Sequence, residues 1–108
     1  MGLDTYIYNH KLNDGDDFKH DREVAYWRKC WNLHRWFADY FGLDATNDNL
    51  NQQEVTRECL LDLRDAIKHN EIEPFAWDED RKTTQHLIKE MLQETNWATE
   101  TLYWESWY

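Results

Sequence analysis

The chain is β-prone at both ends and patterned like helix for most of what lies between, and this restricts the fold more than any other feature. Residues 3–9 alternate, so that Leu3, Thr5 and Ile7 share one face while Asp4, Tyr6 and Tyr8 share the other. The stretch from Trp97 to Tyr108 is rich in Thr, Tyr and Trp and reads as a second strand. It places Leu102 and Trp104 on one face and Thr101, Tyr103 and Trp107 on the other. A strand must find partners for its backbone N–H and C=O groups, and a helix has none to lend. The two terminal strands are therefore expected to pair with each other, with 75–77 as a further candidate strand after Pro74. The expected fold is α+β: three helices packed on a small antiparallel sheet formed by the N- and C-terminal strands, in a single acidic domain over 1–108.

Three helices are expected in the interior. The first spans Arg22 to Phe41, capped by Asp21 and stopped at Gly42, with one stripe of Tyr26, Cys30, Leu33, Phe37 and Phe41 and a second of Val24, Trp27, Trp31 and His34. The second starts at Asn51, with Glu54 completing a capping box, buries Val55, Cys59, Leu63 and Ala66 or Ile67, and stops at Asn70. The third starts at Asp78 or Asp80, reaches Glu94 or Thr95, and turns Thr84, Leu87, Ile88, Met91 and Leu92 inward. Residues 10–21 and 43–50 read as polar loops. Asp4, a charge within a short strand, is expected to pair with Arg28, Lys29 or Arg35 of the first helix.

A length of 108 residues suits one domain. Seven Trp, six Tyr and four Phe speak against disorder despite a mean hydropathy of −1.02. No apolar run suits a transmembrane helix, and no cationic-then-apolar leader opens the sequence. With 12 Lys and Arg against 22 Asp and Glu, the formal charge is −10, which opposes binding to phosphate backbones. The acidity is either a solvated coat or a surface that docks into a basic groove. Cys30 and Cys59 are expected as buried, reduced thiols, in keeping with an intracellular location.

Chemical motifs are sparse. Cys30 and His34 stand at i and i+4, with His20, Asp21 and Glu23 upstream, but no further ligand has tetrahedral metal spacing, so no metal is expected. Ser106 is the single serine and lies outside any nucleophile elbow, and glycines at 2, 15 and 42 make no phosphate cradle. Neither catalytic residues nor a cofactor are expected, and the chain reads as a non-enzyme. The densest chemical cluster joins Tyr26, Trp27, Arg28 and Lys29 to His34, Arg35, Trp36 and Phe37. Such residues either fill the core and its solvated rim or, together with Tyr6, line a pocket for a nucleotide or signal molecule, with Tyr6, Tyr26, Trp27, Arg28, His34 and Arg35 as its walls. A third possibility is a small enzyme using His34 with carboxylates or a metal.

The opening Gly2-Leu3-Asp4-x-Tyr6-x-Tyr8, the central Glu23-Val24-x-Tyr26-Trp27-Arg28-Lys29 with His34-x-Trp36-Phe37, and the closing Tyr103-x-x-Ser106-Trp107 resemble a family of small bacteriophage proteins of no assigned activity. Members of that family are often longer, with a Gly- and Phe-rich hairpin where this chain has only Pro74-Phe75-Ala76-Trp77. The resemblance implies a phage or prophage source and the cytoplasm of an infected bacterium as the site of action. Small acidic phage proteins without catalytic signatures are often accessory factors that disable host defences. The leading expectation is therefore an anti-defence inhibitor, anti-CRISPR-like or anti-restriction, that acts as a nucleic-acid mimic. Its expected partner is a host protein or nucleoprotein complex with a basic groove, without direct contact to nucleic acid or membrane. Asp14, Asp16, Asp17, Glu71, Glu73, Asp78, Glu79 and Asp80 would supply the acidic contacts, and Trp77, Trp104, Trp107 or Tyr108 the aromatic anchor.

Overall fold

The computed structural model describes residues 3–43, 50–72 and 78–107. The terminal strands pair as their patterning demands. Strand β1 (Asp4–Lys11) runs antiparallel to the last strand, β4 (Glu100–Trp107), in an unbroken register from Asp4 opposite Trp107 to Lys11 opposite Glu100. The inward set of β1 is Leu3, Thr5, Ile7 and Asn9, and that of β4 is Leu102, Trp104 and Ser106, all buried. This alternation is what one half-covered sheet face requires.

Among the described residues the sheet has four strands in the order β2-β1-β4-β3, two more than the terminal pair alone. Strand β2 (Arg22–Arg28) occupies residues expected to begin the first helix. There Ala25 and Trp27 point inward while Tyr26 and Arg28 are exposed, a period of two that the helical stripes obscured because Tyr26 and Cys30 also fit a spacing of four. The free edge of β1 supplies backbone partners for Ala25, Tyr26 and Trp27, the last two of which favour extended structure, and tertiary pairing outweighs helical spacing. An irregularity opposite Ile7 and Tyr8 pairs Ala25 and then Glu23, leaving Val24 as an inserted residue. After β2 the chain turns at Lys29, in the left-handed region (φ 56°), and α1 covers only Trp31–Tyr40. Gly42 (φ 71°) stops it as expected.

Strand β3 (Leu50–Val55) displaces the expected helix start at Asn51. Its register against β4 shifts between Leu50 and Gln53, where Gln52 is left-handed (φ 54°). The N-cap of α2 (Arg57–Lys68) is Thr56, whose hydroxyl accepts the Cys59 N–H at 3.1 Å, so the Asn51–Glu54 capping box does not form. Helix α3 (Asp78–Glu94) starts where expected and buries Thr84, Ile88 and Met91. Segment 75–77 lies outside the described residues.

All three helices among the described residues contribute to one core with the inner face of the sheet. Trp104, fully buried, stacks on Phe37 of α1 with ring centroids 5.5 Å apart. Trp27 donates from Nε1 to the Thr84 hydroxyl at 2.8 Å, tying β2 to α3. Arg81 of α3 donates to the Ile67 carbonyl at 3.1 Å, a second donor beside the Asn70 N–H, and so ties α3 to the end of α2. The opposite face of the sheet carries no helix among the described residues.

Candidate functional site

That open face is laid out in rows by the strand register. Arg28, Asp4 and Trp107 form one row, and Tyr26, Tyr6 and Glu105 the next; the third holds Glu23, Tyr8, Tyr103 and Glu54. The rings form a continuous band. Tyr26 and Tyr6 are 5.0 Å apart between centroids, Tyr6 and Tyr8 5.6 Å, and Tyr8 and Tyr103 5.3 Å. Each such pair adds roughly 0.5–1.5 kcal/mol beyond burial, so the band is a stiff surface. Tyr26 and Trp107 are each 42% exposed, and Tyr6, Tyr8 and Tyr103 are half-buried.

Carboxylates are interleaved with the rings. Asp4, Glu23 and Glu105 each act on the Tyr6 phenol, raising its pKa after the larger effect of burial, and Glu105 and Glu23 act similarly on Tyr8. The phenols therefore stay protonated at neutral pH and act as donors. Tyr26 donates to Asp4 Oδ1 at 2.6 Å, and Trp107 donates from Nε1 to Glu105 Oε2 at 3.0 Å. Within the three rows, four carboxylates (Asp4, Glu23, Glu54 and Glu105) face a single cation, Arg28. The register sets Asp4 opposite Arg28 of β2 and not of a helix, and the contact its carboxylate makes is the hydrogen bond from Tyr26.

The end of the band is closed by a clamp built on His10. Its Nδ1 lies 2.7 Å from Asp21 Oδ1, its Nε2 lies 2.8 Å from the Gly15 carbonyl, and Tyr103 donates to the other Asp21 oxygen at 2.7 Å. Both ring nitrogens face acceptors, an arrangement that favours the doubly protonated cation. The Asp21 hydrogen bond raises its pKa most, against the opposing effect of burial, with Gly15 and Asp14 adding to the rise. Phe18 stacks on His10 at 4.3 Å and meets Tyr103 edge-on. Asp21, expected to cap a helix, instead fastens the β1–β2 connection to the sheet. That connection carries Asp14, Asp16 and Asp17, all exposed, and the clamp brings this acidic loop to the end of the tyrosine band.

Other expected site residues are placed differently. Trp104 cannot anchor a partner because it is fully buried beneath the band. Glu71 is exposed, just past the end of α2 and on none of the sheet strands. Asp78, Glu79 and Asp80 open α3, with side chains outside the described set, and Glu73, Trp77 and Tyr108 also lie outside it. The pocket of Tyr6, Tyr26, Trp27, Arg28, His34 and Arg35 is not assembled: Tyr6, Tyr26 and Arg28 lie on the open face, whereas Trp27 and His34 are packed in the core. Alternation along β2 necessarily sends Tyr26 and Trp27 to opposite sides.

His34 does meet a nucleophile type. The Ser106 hydroxyl lies 2.9 Å from its Nδ1, with Thr5 Oγ1 3.4 Å from Ser106, but all three are fully buried, so the contact is a packing hydrogen bond closed to substrate. Cys30 and Cys59 are buried and form no disulfide; burial, aided by Asp62, pushes the Cys59 thiol up to about 12 and leaves it unreactive. Among the described residues no cluster of His, Cys, Asp and Glu has metal-binding geometry, and no helix is long and apolar enough to cross a membrane.

Sequence reasoning assigned the carboxylates to loops and missed the tyrosine band. Its signal was present in the outward set of residues 3–9 and 101–107, where bulky rings occupy positions that polar residues normally fill. No family model, curated protein or solved structure matches this chain.

Proposed function

We propose that the protein is a phage accessory factor that binds and inhibits a host nucleic-acid-targeting defence complex, using the open sheet face to occupy a Lys/Arg-rich groove. The observation that carries this reading is the tyrosine band with carboxylates set between its rings. An arginine or lysine on such a surface gains a cation–π contact and an ion pair together. Stiff rings and short carboxylate side chains lose little entropy on docking. Exposed rings on a sheet can also stack nucleobases, but the carboxylates beside these rings repel phosphate, so the reading favours a protein that binds nucleic acid over nucleic acid itself. Trp107, Asp14, Asp16 and Asp17 remain in the proposed contact set, joined by Asp4, Tyr6, Tyr8, Glu23, Tyr26, Glu54, Tyr103 and Glu105. The phage source and the defence target rest on the sequence resemblance.

The test is competition. Purified CRISPR effectors and restriction endonucleases are titrated with the protein in the presence of labelled DNA, at low and high salt. Displacement of DNA that weakens with salt, and that is lost in a Glu23→Lys/Glu105→Lys variant, is the expected result. Binding indifferent to salt and to these changes would remove the sheet face from the reading, and no displacement from any complex would end it.

A further inference from the structure

A second surface carries the opposite chemistry. Between α2 and α3 runs a groove of about 620 Å³. On α2, Arg57, Leu61, Arg64 and Lys68 recur at i, i+4, i+7 and i+11, the stripe that a single helical face presents. Lys89 and Leu92 of α3 face them, with two glutamines and no carboxylate completing the lining. Four of the chain's twelve Lys and Arg residues thus gather along one groove, in a protein with 22 carboxylates. Leu61 and Leu92 are half-buried, Arg57, Arg64, Lys68 and Lys89 are exposed, and the sequence holds i, i+4 spacing without placing a carboxylate on the stripe. The only ion pair found for these cations among the described residues is Arg64 Nε with Asp65 Oδ1 at 3.8 Å, both more than half exposed, a weak contact that leaves the remaining guanidinium donors available.

We infer that this groove is a docking site for an acidic amphipathic peptide segment of a protein partner. An apolar floor with a cationic rim matches a segment that presents Leu- or Ile-like side chains on one side and Asp or Glu at its flanks. The stripe from Arg57 to Lys68 spans ~16 Å along the helix axis, room for a short helix or an extended strand of the partner. Attraction is local: charges beyond about 8–10 Å are screened at physiological salt, so the rim outweighs the distant carboxylates. A nucleic-acid backbone fits less well, since it would leave the leucines uncovered, finds no aromatic ring in the groove for its bases, and brings a long run of charge toward a protein of net charge −10. The inference stands on the groove alone and does not depend on the proposed role of the sheet face.

The experiment is a selection from displayed random peptides of about 16 residues, enough for a helix to cover the groove. Wild type, Arg64→Glu/Lys89→Glu, and the sheet variant Glu23→Lys/Glu54→Lys serve as parallel baits, with far-ultraviolet circular dichroism confirming that each is folded. Peptides recovered on wild type should be enriched in Asp and Glu together with Leu, Ile or Phe. The synthesised peptides should lose at least about tenfold in affinity on the groove variant and be unaffected by the sheet variant. A neutral Arg64→Gln/Lys89→Gln variant should lose an intermediate factor, separating loss of attraction from introduced repulsion. Absence of enrichment, enrichment without acidic bias, or acidic peptides indifferent to the groove substitutions would overturn the inference. So would a single-stranded oligothymidylate that binds with the same dependence on Arg64 and Lys89. Recovery of basic peptides sensitive only to the sheet substitutions would support the other surface while leaving the groove without a ligand, so the two readings fail separately.

Discussion

The open sheet face and the α2–α3 groove draw on the same core yet carry opposite charge, and they do so through different periodicities. On the sheet, alternation within strands and register between them set Asp4, Glu23, Glu54 and Glu105 among tyrosine rings. On α2, a spacing of three to four gathers Arg57, Arg64 and Lys68 beside Leu61. A formal charge of −10 therefore describes neither surface. What differs physically is support: the tyrosine band is braced by a four-stranded ladder, whereas the groove depends on how two helices are held against each other.

That contrast can be broken most forcefully from below. Trp104→Ala removes the largest fully buried side chain directly under the band, and it is expected to cost about 3–5 kcal/mol, read as a lower denaturation midpoint. Trp104→Phe should cost much less, because the indole Nε1 has no hydrogen-bond partner among the described residues and its loss forfeits only packing. If the alanine variant is as stable as wild type, the sheet is not braced as described.

The His10 clamp offers a finer test of the sheet side alone. His10→Ala strands the Asp21 carboxylate against Tyr103 and is expected to cost about 1–3 kcal/mol, with increased proteolysis between residues 11 and 21 as a local readout. Because the folded-state pKa of His10 is raised, its contribution to stability is complete below the unfolded value of 6.5 and is lost as pH rises through the folded value. Wild type should therefore lose more stability on moving to alkaline pH than His10→Gln does. Equal slopes for the two proteins would show that the imidazole is not held as a cation.

Smaller effects sharpen the helical side. Thr56→Ala removes the N-cap hydroxyl of α2 and should cost about 1 kcal/mol, with faster amide exchange in the first turn of α2 and little change in β1 or β4. At the bottom of the scale, Tyr26→Phe deletes an exposed hydrogen bond to Asp4 and should leave the denaturation midpoint essentially where it is in wild type. Its effect belongs to docking on the sheet face, so unchanged affinity for a basic partner would argue against Tyr26 as a contact.

Much of the scaffold was legible in the sequence, and the reason is local. The alternation of Leu3 to Asn9 and of Thr101 to Trp107 named both terminal strands and their inward faces, and the stripe Thr84-Leu87-Ile88-Met91-Leu92 named α3. Where two periods overlapped, pattern was not enough. Tyr26, Trp27 and Cys30 satisfy helical spacing, but the unpaired edge of β1 made a strand of residues 22–28, and with it went the expected pocket. The capping box expected at Asn51 and Glu54 was likewise overridden: the free edge of β4 drew residues 50–55 into the sheet, and Thr56 caps α2 instead.

The amino-acid sequence by itself determined an acidic α+β chain whose two ends meet in one sheet, because alternation marks both terminal segments as strands and their backbone groups require strand partners. Only the tertiary structure decided where that acidity acts. Register across strands distant in sequence ranks Tyr6, Tyr8, Tyr26 and Tyr103 in one band, and the packing of α2 on α3 faces Lys89 with Arg57 and Arg64. Neither arrangement is written in any single stretch, since each is made from side chains that approach only after the core has closed.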